Sequence, residues 1–114
     1  MANDELYIRH ILDAVAAIEQ YTEQLTRSAF VRKDRQMVQD AVIRELSIIG
    51  EATKRLSKKV RGDHRRLPWT EITGMRDKLV HDYFGVDLEV VWHTVKHDLP
   101  TLKTALKTYT ARNC

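Results

Sequence analysis

Cysteine is nearly absent from this chain of 114 residues: the one present, Cys114, stands at the last position. That excludes an internal disulfide and a thiolate metal site. Proline occurs twice and glycine four times, too rarely for a collagenous or low-complexity chain. Long apolar runs are missing too. Stretches such as Ala14 to Ile18 fall far short of the ~20 residues that span a bilayer, so no membrane association is expected. The acidic opening Met-Ala-Asn-Asp-Glu lacks the apolar segment of a secretory leader. What is present is 43% hydrophobic and 31% charged residues, a balance that excludes disorder. The expectation is a single cytoplasmic domain over residues 1–114.

Apolar residues recur with helical spacing and nowhere alternate with period two. Asp4 is placed to cap a first helix with the stripe Leu6, Ile11, Val15, Ile18 and Leu25, widened by Ile8 and Leu12 and ending near Thr26. A short connection follows, with Phe30 as a buried plug. Asp34 is the candidate cap of a second helix carrying Val38, Ala41, Val42, Leu46, Ile49, Ala52 and Leu56. Gly62 would end it, giving about 26 residues and a length of roughly 39 Å. Pro68-Trp69 can open a third helix through Ile72, Met75 and Leu79, stopped by Gly85. Asp87 caps a fourth, with Leu88, Val91, Trp92 and Val95, and Leu99, Leu102 and Leu106 continue its stripe. Pro100 should kink or restart that helix at residues 98–100. Gly50 and Gly74, inside helices, are read as points of close backbone approach. The fold class is therefore all-α, an antiparallel bundle of four to five helices.

Charge is uneven. Lys54, Arg55, Lys58, Lys59, Arg61, Arg65 and Arg66 with Asp63 make residues 54–66 net +6, against −3 for the remainder. Such a run suits phosphates, and it equally suits the negative end of a helix facing water. The densest chemistry lies in Arg76-Asp77-Lys78-Leu79-Val80-His81-Asp82-Tyr83. Asp77 and His81, four apart, share a helix face, so the carboxylate can orient the imidazole. Arg76 and Tyr83, seven apart, share another. His81 lies about 140° round from Arg76 on an ideal helix, which favours a site completed by a second copy across a dimer axis.

Arg76-x4-His81-x-Tyr83 resembles the signature of the HEPN superfamily, and in particular the HepT-like toxins of HEPN/MNT toxin–antitoxin pairs. The likeness extends to Ile48-Ile49-Gly50-Glu51-Ala52, Leu67-Pro68-Trp69, Gly74 through Asp77, His81 through Asp87, Val91-Trp92 and Asp98-Leu99-Pro100. Asp77 departs from the Asn that often follows the arginine in that group. The resemblance implies a metal-independent endoribonuclease, without cofactor, working as a homodimer with both motifs in a shared cleft. Arg76, Asp77, His81 and Tyr83 would be the catalytic set. Lys54, Arg55, Lys58, Lys59, Arg65 and Arg66 would bind an RNA substrate such as tRNA or mRNA. The implied partner is a nucleotidyltransferase antitoxin of the MNT type, which in some such systems adenylylates the signature tyrosine, here Tyr83. The alternative is a catalytically silent docking or RNA-binding module for that nucleotidyltransferase.

Other residues read more plainly. His93 and His97, four apart, could share a metal, but no third ligand is evident, and a surface pair is expected. His10 and His64 are expected to face solvent. Trp69 and Trp92 occupy apolar helical positions and should pack in the core rather than stack on bases. Glu51 could reach Arg76 as its counter-ion.

Overall fold

The computed structural model describes residues 3–64, 67–74 and 86–113, and every regular element among them is helical. In order these are α1 (Asp4–Thr22), α2 (Arg27–Phe30), a 3-10 turn (Lys33–Arg35), α3 (Gln36–Lys54), α4 (Lys58–Asp63), α5 (residues 69–74) and α6 (Leu88–His93). A π-helical stretch (Thr94–Asp98) then leads into α7 (Leu99–Asn113). No described helix is long and apolar enough to cross a membrane.

α1 and α3 form an antiparallel hairpin, with α7 laid against α1. The core runs through Ile8, Ile11, Val15 and Ile18 of α1, Val42, Leu46 and Ile49 of α3, and Leu99, Leu102 and Leu106 of α7, all buried. Phe30 is fully buried, as its role as a plug requires, and its ring lies 5.2 Å from that of Trp92. Leu6 is the exception in the expected stripe: at 39% exposed it faces outward, and Ala14 takes the inward position.

Several caps differ from the expectation. Asn3, not Asp4, caps α1, its side chain accepting from the Leu6 N–H. Asp4 is occupied elsewhere. Its two oxygens accept from the Ser57 N–H at 2.8 Å and the Ser57 hydroxyl at 2.7 Å. α1 ends at Thr22 rather than Thr26, because Thr26 caps α2 by accepting from the Ala29 N–H. Asp34 does not cap the next helix either; it pairs with Arg32 at 2.6 Å, and α3 begins at Gln36 after the 3-10 turn. Buried Gln39 donates to the carbonyls of Phe30 and Arg32, satisfying the end of α2.

The long second helix is two helices. α3 stops at Lys54, and Ser57 opens α4 by accepting from the Val60 N–H. Leu56 and Val60 are both buried, so the apolar period continues through a break that side-chain bonds impose. Gly62 therefore lies within α4 rather than past its end. It is exposed, has no positive φ, and a Cβ there would meet nothing within 4 Å. Gly62→Ala is expected to raise stability by up to ~1 kcal/mol, read as a higher urea midpoint. A lower midpoint would return the glycine to a left-handed cap role.

Of the two helical glycines, Gly50 is buried, as a close-approach position requires. Gly74 is exposed with open space beside it, so the expected contact there is absent among the described residues. Asp87 caps α6 as expected, accepting from the Glu89 and Val90 N–H groups. The break expected at residues 98–100 takes another form. The Leu99 N–H reaches the Thr94 carbonyl, five residues back. This wider turn precedes Pro100, which then sits in the first turn of α7, where its missing N–H is tolerated.

Candidate functional site

The structure fixes both flanks of the signature. On the near side, the Trp69 indole N–H donates to the carbonyls of Arg61 at 3.2 Å and His64 at 2.9 Å, closing the end of α4. Ile72 is buried, so α5 is held against the core. On the far side, half-buried Val86 packs on the core and Asp87 caps α6. Arg76, Asp77, His81 and Tyr83 lie outside the described residues, as do Arg65 and Arg66.

The described part of the basic run divides into two kinds. Lys58 and Lys59 are exposed, and their side chains have no ion pair or hydrogen bond among the described residues. Arg61 instead folds back, its guanidinium donating to the carbonyls of Lys54 at 2.7 Å and Leu56 at 3.4 Å. It completes the carbonyl end of α3, where unpaired acceptors and the helix dipole favour a cation. Arg55 bonds Glu51 at 3.3 Å. Tyr7 first, and Glu51 second, hold the Arg55 guanidinium protonated above its ordinary value.

Between α1 and α3 runs an open groove of about 360 Å³ lined by Tyr7, His10, Arg44, Ser47, Ile48 and Arg55, with Glu51 and Ala52. The rings of Tyr7 and His10 meet edge to face at 6.2 Å. Arg44 is exposed and has no side-chain partner among the described residues. From sequence, Arg44 and Tyr7 carry no role and His10 only a place facing solvent, because they stand on two helices 36 residues or so apart in the chain. An arginine stripe on α3, Arg44 and Arg55 in phase, was the available signal.

His93 and His97 are exposed, with ring centroids 4.3 Å apart. No group of three or more potential metal ligands occurs among the described residues. His10 is exposed as expected. His64 is not solvent-facing: it is half-buried, its Nδ1 lies 3.1 Å from the Val60 carbonyl, and its ring meets Tyr109 edge-on. Both tryptophans pack on the core as expected, and Lys96 lies over Trp92 at 4.6 Å.

The model of the ribonuclease HepT-like family matches residues 11–109. The chain belongs to this family, within the HEPN superfamily. Among curated HepT-like relatives, "Probable ribonuclease HepT" of Thermococcus cleftensis is 44% identical over 97 residues, 85% of this chain and 86% of its own. "Putative RNase TTE0752" of Caldanaerobacter subterraneus subsp. tengcongensis is 41% identical over 101 residues, 89% and 88% of the two chains. "Gamma-glutamylcyclotransferase and putative RNase MJ0434" of Methanocaldococcus jannaschii is 44% identical over 99 residues. There the match covers 87% of this chain and 44% of the relative, so this chain spans less than half of that protein. No solved structure gives a significant match. The HepT-like region thus takes in α1 from its second turn, α2 to α6 and most of α7.

Proposed function

We propose that the chain is a metal-independent endoribonuclease, the toxin of a HEPN/MNT toxin–antitoxin pair, active as a homodimer. The observation that carries this reading is Arg76-x4-His81-x-Tyr83 within a chain matched over residues 11–109 by the ribonuclease HepT-like model. RNA supplies its own nucleophile. The 2′-oxygen attacks the adjacent phosphorus, the bond to the 5′-oxygen breaks, and the products are a 2′,3′-cyclic phosphate and a 5′-hydroxyl. One proton leaves the 2′-hydroxyl and one reaches the departing 5′-oxygen, and the imidazole of His81 is the group that can serve as general base or acid for them. Arg76 clamps the phosphoryl oxygens where charge develops. Asp77 orients His81, and Tyr83 donates to a phosphate. Lys54, Arg55, Lys58, Lys59, Arg65 and Arg66 attract the RNA backbone.

Control follows from the same residues. Adenylylation of Tyr83 by a nucleotidyltransferase antitoxin would set a bulky anion beside Arg76 and His81, occupying the cleft and repelling RNA phosphates.

The test is cleavage of total RNA and tRNA by the purified protein in excess EDTA, wild type beside His81→Ala, with product ends mapped. Cyclic phosphate ends that vanish with His81→Ala are the expected result. Cleavage that requires Mg²⁺, or that persists on 2′-deoxy substrate, would overturn the mechanism. Absence of cleavage by the unmodified wild type would leave a docking module.

A further inference from the structure

We propose that the groove between α1 and α3, bounded by Arg44 and Arg55, carries a single strand of RNA and extends the binding surface beyond residues 54–66. The inference rests on RNA as the ligand and adds a track that the basic run does not contain.

Arg44 and Arg55 are eleven residues apart on α3 or at its cap. Eleven residues make close to three full turns, so the two cations stand on one helix face, about 16 Å apart along the axis. That separation exceeds one phosphate and suits several successive ones. Arg44 is an exposed cation with no partner among the described residues, and Asp40, one turn away, forms no ion pair with it. Arg55 is held at the other end by Tyr7 and Glu51.

Between the arginines the groove is open, and the one carboxylate on its wall, Glu51, is paired with Arg55 at 3.3 Å. Ile48 is 37% exposed, and Tyr7 and His10 line the opposite wall from α1. Cations at intervals with planar and apolar side chains between them match the alternation of phosphate and base in a single strand. A lone small anion would find its two cations too far apart. An acidic peptide would leave the rings and Ile48 without a counterpart. Arg55, at the far end of the groove, stands three residues before Lys58 and four before Lys59 at the start of α4, so one strand can follow both.

Affinity for a labelled single-stranded RNA oligonucleotide, measured by fluorescence anisotropy across a salt series, tests this. Every protein carries His81→Ala so that no cleavage intervenes. Adding Arg44→Glu is expected to weaken binding about tenfold at low salt and to make the slope of log affinity against log salt shallower by about one. The melting temperature should be unchanged, because Arg44 is exposed and unpaired. Unchanged affinity with Arg44→Glu, while Lys58→Glu with Lys59→Glu weakens binding, would confine RNA to the basic run and overturn the track alone. Indifference to all three substitutions would overturn the RNA reading as well. A change in mass by light scattering with Arg44→Glu would make the groove a contact between copies and equally overturn the proposal.

Discussion

Phe30→Ala is expected to destabilise the protein by about 3–5 kcal/mol, a large share of the roughly 5–15 kcal/mol that holds a domain of this size folded. α2 has four residues and cannot persist as an isolated helix. Its position depends on what it buries and what it bonds. The fully buried Phe30 ring fills the space against Trp92, and the Phe30 carbonyl accepts from the Gln39 amide at 2.7 Å. Truncation leaves a cavity and loosens α2 from α6, which the exposed Arg27–Glu89 pair at 2.6 Å cannot offset. Urea unfolding reads the loss as a lower midpoint with similar slope. Phe30→Leu should cost less, because most of the volume stays filled. A loss below about 1 kcal/mol with Phe30→Ala would mean that the ring is not what anchors α2.

Arg76→Lys is expected to lower single-turnover cleavage by about 100-fold or more while leaving RNA affinity close to that of the parent. The substitution keeps the charge and removes the fork: a guanidinium presents parallel N–H groups to two phosphoryl oxygens, and an ammonium is a point charge. If Arg76 stabilises charge that develops at the phosphorus, the chemical step falls and binding does not. Cleavage at the parent rate would assign Arg76 to attraction of RNA alone. Weaker binding with an unchanged rate at saturating RNA would lead to the same conclusion.

The all-α class was legible from the spacing of apolar residues, and so were the plug at Phe30, the Asp87 cap and the inward tryptophans. The helix ends were less so. Leu56 and Val60 keep the period of α3, so periodicity runs on where the helix stops. The break comes from Ser57 and from Asp4, 53 residues away in sequence. Asp4 and Asp34 each looked like a cap because short acidic residues before an apolar run usually are. Both were drawn off by nearer or stronger donors. The pattern Arg76-x4-His81-x-Tyr83 was legible as a motif, and it falls within the span that the HepT-like family model matches. The groove was not legible, because Tyr7 and His10 face Arg44 and Arg55 only after α1 folds back along α3.

The Asp4–Ser57 contact has a topological consequence. It ties the first turn of α1 to the first residue before α4, so the α1–α3 hairpin becomes a closed loop whose entropy of closure is met within the first half of the chain. Trp69 then fastens α5 to the end of α4, just past that loop, and Asp87 starts α6. Lys103 of α7 grips Glu19 of α1 at 3.0 Å, so the last helix is tied back onto the same loop.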